Sequence, residues 1–106
     1  MAKFLIEASY TPEGMKGVLA KGGTARREAV EKMLADVGGR LESFNFSFGS
    51  TDAYVLVDVP DNITAAAVGM IVGSSGMASA KTTVLLTPEE IDRAAEVRAT
   101  YRPPGS

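Results

Sequence analysis

Cysteine, histidine and tryptophan are all missing from these 106 residues. Without cysteine there is no disulfide, no thiol nucleophile and no thiolate ligand for a metal. Nothing therefore points to an oxidising compartment, and a cytoplasmic location is expected. The lack of histidine excludes more. No imidazole is present to ligate haem or zinc, to activate a serine, or to act as a base titrating near neutrality. The residues thus imply no metal and no cofactor. An excess of one charge is lacking too: 11 Lys and Arg stand against 13 Asp and Glu. That balance gives no broad attraction to nucleic acid or to an acidic membrane, and neither is expected as a partner. Long hydrophobic runs are also absent. The weakly polar stretch 63–80 is interrupted by Gly69, Gly73, Ser74 and Gly76, so it reads as no membrane span. The apolar run near Met1 is too short for a signal peptide.

Apolar residues make up 45% and charged residues 23%, the ordinary globular range. The length suits one domain, read as residues 1–100, with an extended tail over 101–106. Its core is thin, since a chain of this size buries somewhat over ~60% of its unfolded surface. Association would stabilise it further.

Residues 3–9 read as a strand with Phe4, Ile6 and Ala8 on one face. Thr11, Pro12 and Glu13 then start a helix as a cap, a first-position proline and an acid at the positive end. Gly22-Gly23 breaks it, and Thr24 is the expected cap of a second piece. In that piece Val30, Met33, Leu34 and Val37 form a buried stripe up to Gly38-Gly39. Phe44, Phe46 and Phe48 alternate in a strand over 40–48. Gly49-Ser50-Thr51-Asp52 is a hairpin turn leading to a strand over 53–59. With Ser50 and Thr51 as the loop, Phe48 faces Ala53, Phe46 faces Val55 and Phe44 faces Val57. A turn at Pro60-Asp61-Asn62, a helix over 63–74 and a strand over 79–86 follow. Thr87-Pro88-Glu89-Glu90 carries the capping-box pattern for a last helix, expected to run to about Ala99.

The order β-α-β-β-α-β-α matches a ferredoxin-like α+β sandwich with an added C-terminal helix. Right-handed crossovers put the helices on one sheet face, against the Phe/Val side. The other face is open, and Leu5, Leu56 and Leu85 on it favour a homo-oligomer. Face-to-face pairing would enclose a cavity lined by Glu7, Asn45, Tyr54, Asp58 and Thr83.

Several segments resemble the GYD-domain family. They are 8–14 (Ala-Ser-Tyr-Thr-Pro-Glu-Gly), Gly22-Gly23 with Arg26-Arg27, 38–42, Phe48-Gly49 with Asp52, 81–90, and 101–105 (Tyr-Arg-Pro-Pro-Gly). The family hairpin usually reads Gly, variable, Tyr, Asp; here Thr51 takes the Tyr position. The resemblance implies a ferredoxin-like fold, often assembled as a dimeric α/β barrel, and no established reaction.

Two function classes fit these residues. The first is a non-catalytic oligomeric module that binds a small ligand or a protein partner. The alternative is a cofactor-independent isomerase or oxygenase with a pocket on the open face, run by Tyr and Asp. The candidate ligand-binding residues are Tyr10, Asn45, Asp52, Tyr54 and Asp58. Asp52 beside a turn also has a plain structural reading, as an acceptor for backbone N–H groups. A candidate anion site is Lys21, Gly22, Gly23, Arg26 and Arg27, where glycines precede a helix beside three cations. It matches no nucleotide fingerprint, and a loop with solvated arginines is the simpler reading.

Overall fold

Alternation of Phe4, Ile6 and Ala8 with Lys3, Leu5 and Glu7 makes a two-faced strand. The computed structural model, which describes residues 1–105, forms it as β1 (Ala2–Tyr10). Helices α1 (Pro12–Lys21) and α2 (Gly23–Asp36) follow, then β2 (Arg40–Phe46) and β3 (Ala53–Val59). Next come α3 (Asn62–Ser74), β4 (Ala78–Leu85) and α4 (Pro88–Ala94). The expected tail ends in Ser106, which lies outside the described residues.

The four strands form one sheet in the order β2-β3-β1-β4, every neighbouring pair antiparallel. This is an α+β domain in the split β-α-β arrangement. Its core lies on one side only. Phe4, Val55, Val57 and Val59 meet Val30 and Leu34 of α2 and Ala65 and Val68 of α3 there. Gly22 makes the expected break. Its φ of 88° turns the chain in one residue, ending α1 and starting α2. Thr24 therefore caps nothing: Gly22 occupies the cap position and leaves Thr24 inside the first turn.

The hairpin register is displaced by two residues from expectation. Phe46 faces Ala53 and Phe44 faces Val55. Phe44 packs on the core, Phe46 is 45% exposed, and Phe48 stands fully in solvent. The reason is a competing bond. The Asp52 N–H donates to the carbonyl of Ala8 in β1, not to β2. Ser47 N–H donates to the Asp52 carbonyl at 2.8 Å, closing a wider loop over residues 48–51. A shift of two residues preserves side-chain parity, so Phe44, Phe46 and the valines still share a face. A bulge between Leu41 and Ser43 then turns Leu41 onto the core side, opposite Val57.

Asp61 caps α3, its carboxylate accepting from Thr64 N–H at 2.8 Å. Thr87 and Glu90 form the expected capping box of α4. That helix ends at Ala94, short of Ala99, and buries no residue. With no apolar face covered, seven residues have little to hold them helical. No helix among the described residues is long and apolar enough to cross a membrane.

Candidate functional site

The site begins with the anchoring of α1. Thr11 Oγ1 accepts from Gly14 N–H, and Thr11 N–H donates to the carbonyl of Met77 at 2.9 Å. That carbonyl presses against Gly14, where an added Cβ would lie 1.9 Å from its oxygen. The start of α1 is thus clamped to the turn between α3 and β4. From there α1 runs out to Gly22, where the chain turns into α2.

Small side chains line the inner walls of this bend. Gly17, Ala25 and Ala29 leave a cleft of about 490 Å³ between α1, α2 and the end of α3. Val18, Met33, Ile71, Val72 and Met77 make the rest of its lining largely apolar. The polar groups are few: Tyr10, Glu13, Lys21, Arg26 and Ser75. Arg26 Nε donates to the Tyr10 hydroxyl at 3.3 Å, and its guanidinium carbon lies 5.6 Å from the Tyr10 ring centroid. The Tyr10 N–H in turn donates to Asp52 Oδ2 at 2.8 Å. A line of contacts thus runs from the hairpin loop through the end of β1 to Arg26. Glu13 faces Lys16 at 3.9 Å. None of the ion pairs among the described residues involves Arg26 or Lys21.

The opposite sheet face presents three rows across the strands. Asn45, Tyr54, Glu7 and Lys81 form one, and Ser43, Leu56, Leu5 and Thr83 the next. Asp58, Lys3 and Leu85 continue into a third row that begins at Arg40. Asp58 is only 4% exposed, capped by Lys3 at 3.4 Å and Arg40 at 3.2 Å. Its carboxyl is held below the usual range by the hydrogen bonds and charges of Arg40 and Lys3, against the opposing effect of burial. Lys3 is raised above the ordinary lysine value, chiefly by its hydrogen bond to Glu42.

The five candidate ligand residues do not form one site. Asn45 and Tyr54 are paired on the open face, with Asp58 two rows away. Tyr10 points to the helix side and lines the cleft. Asp52 takes the structural role, tying the loop to β1. The candidate anion segment also divides. Lys21, Gly22 and Arg26 line the cleft. Gly23 abuts Phe46, and Arg27 pairs with Glu31 at 3.7 Å. The cleft therefore lies on the helix side of the sheet, away from Asn45, Tyr54 and Asp58. Met33, Ile71 and Met77 were not expected at a site. The one signal for it was the run of small residues at helical spacing, Gly14, Gly17, Ala25 and Ala29, flanking Lys21 and Arg26.

The GYD domain family matches residues 4–95. The chain belongs to that family. No curated protein and no solved structure matches it. In this GYD domain the cleft and the Asp52–Tyr10–Arg26 line both lie inside the matched segment.

Proposed function

We propose that this GYD domain is a non-catalytic binding module whose helix-side cleft takes a small organic anion with an apolar body. The observation that carries the reading is Arg26. It sits half-buried on the wall of a largely apolar cleft of about 490 Å³, oriented by Tyr10 and without an ion-pair partner among the described residues. Sites for small molecules fall at about 300–1,000 Å³, apolar with a few polar groups that fix orientation. A guanidinium in such a wall gains most from a carboxylate or sulfonate, which it binds with two parallel hydrogen bonds.

The two aspartates named as candidates lie away from the cleft. Asp52 is engaged with a backbone N–H, and Asp58 is ion-paired on the far side of the sheet. Neither lines the cleft, whose titratable groups are Tyr10, Glu13, Lys21 and Arg26.

Titration with 1-anilinonaphthalene-8-sulfonate tests the reading, followed by amide chemical shifts. Shifts are expected at Gly17, Ala25 and Ser75, with affinity falling about tenfold in Arg26→Gln. Shifts confined to the open sheet face, or an Arg26→Gln variant that binds as well as the wild type, would defeat it.

Self-association through the open face, in the manner of a dimeric α/β barrel, is a second reading. Its support is the row of part-buried Leu5 and Leu56, with Leu85 and the exposed Tyr54 beside it. No element of the chain's core cluster reaches that side.

A further inference from the structure

Two cations on α1 and α2 carry an acid on their own helix: Lys16 lies 3.9 Å from Glu13, and Arg27 lies 3.7 Å from Glu31. Lys21 and Arg26, which line the cleft, carry none among the described residues. The sequence explains the difference. Neighbours on a helix surface stand three and four positions apart. For Lys21 these are Val18 and Gly17 on α1, and for Arg26 they are Ala29 and Val30 on α2. None can supply a counter-charge. Arg26 spends only its Nε, on the Tyr10 hydroxyl. Its Nη groups and the Lys21 ammonium donate to nothing else among the described residues. The acid on the cleft wall is Glu13. It precedes Lys21 by two turns of the same helix, about 12 Å along the axis. That exceeds the Debye length of about 8 Å at physiological salt, so Glu13 neutralises neither cation. The cleft thus holds two uncompensated positive charges, although the chain as a whole has a net charge of −2.

We propose that Lys21 is the selecting cation of the cleft, and that the ligand it favours carries a dianionic head of the phosphate-monoester class on an apolar body. The inference rests on the reading of the cleft as an anion site and names the charge that site prefers. Arg26 alone asks for one negative charge, and Lys21 adds a demand for a second. A phosphate monoester carries about −1.5 to −2 charge at neutral pH, together with three acceptor oxygens. The planar fork of Arg26 suits two of those oxygens. The Lys21 ammonium, a point charge on a flexible stem, supplies the second positive charge from across the one-residue bend at Gly22. The Tyr10 hydroxyl accepts from Arg26 Nε and keeps its own proton to donate to the same head group. Val18, Met33 and Ile71 line the rest of the cleft and suit a hydrocarbon or aromatic body rather than a sugar.

Two probes with one body and different charge test the proposal: 1-naphthyl phosphate and 1-naphthalenesulfonate, titrated into the full chain at about pH 8, where the phosphate is doubly charged. The phosphate is expected to bind about fivefold more tightly, the scale of one partly exposed ion pair. In Lys21→Gln that preference should fall below about twofold, and in Lys21→Arg it should persist. Arg26→Gln should weaken both probes. Equal affinities in the wild type, or a preference that survives Lys21→Gln, overturn the selecting role and leave the anion site standing. A Lys21→Gln chain with altered thermal stability and an unaltered preference likewise overturns it, and assigns Lys21 to the carbonyl end of α1, whose last turn it occupies. If neither probe binds, or both bind unaffected by Arg26→Gln, the anion site and the inference fall together.

Discussion

Single side chains decide how the two sheet faces differ. Asp58 is the one buried charge among the described residues, on the sheet face away from the helices, and its geometry has a pH signature. Its native carboxyl lies below its ordinary value of 3.8, so protonation is resisted by folding. The stabilisation is complete above that ordinary value and is lost as pH falls through the depressed native one. Denaturant midpoints measured from neutral to strongly acid pH should show this loss in the wild type. Asp58→Asn should begin about 2 kcal/mol less stable at neutrality and lose that part of the acid slope. An identical acid slope in the variant would show that other carboxylates dominate. Asp52 acts differently. Its carboxylate accepts the Tyr10 N–H and so sets the base on which Arg26 rests. Asp52→Ala should cost about 1–3 kcal/mol in urea unfolding and also weaken anilinonaphthalene sulfonate binding, although residue 52 does not line the cleft. Unchanged binding would sever the link from the loop to the cleft.

At the level of elements, α1 is the decisive piece. It buries no residue of its own, and its place depends on the Thr11–Met77 bond and the close approach at Gly14. Two glycines in this helix should therefore respond in opposite ways. Gly14→Ala places a methyl against a backbone carbonyl that cannot move aside cheaply, so α1 should shift and stability should drop by about 1–3 kcal/mol. At Gly17 a Cβ meets nothing within 4 Å. Gly17→Leu should raise stability by up to about 1 kcal/mol through helix propensity while filling the cleft and abolishing binding. Thermal unfolding and probe titration on the two variants check the pair. A Gly17→Leu chain that still binds would place the ligand elsewhere.

At the level of the whole molecule, the core is one-sided. Helices α2 and α3 cover one face of a four-stranded sheet, while the segment after β4 is exposed and the other face is only part-covered. Association through those surfaces would make the apparent stability depend on concentration. The melting temperature should rise measurably across a hundredfold range of protein concentration, and the rise should vanish in Leu56→Asp. A concentration-independent transition in the wild type would mean that the single chain accounts for all of the stability. The same one-sidedness explains why the cleft sits where it does. Only on the covered face do two layers exist, so only there can a bend between helices enclose volume.

Much of this was legible in the residues because it is local. Alternation in β1 and β3 separates the two faces, Gly22 permits a turn that other residues resist, and Thr87 with Glu90 closes a cap within four positions. Those features depend on backbone geometry and on side chains a turn or less apart. The register of the hairpin did not follow, because the turn competes with a bond from Asp52 to Ala8, more than forty residues away. The cleft did not follow either. Tyr10, Arg26, Ile71 and Met77 come from four separate parts of the chain. Their meeting depends on the angle between α1 and α2 and on the carbonyl that presses against Gly14. Local periodicity tells which side of an element is buried, but a cavity is defined by what the packing leaves empty, and only the assembled layers determine that.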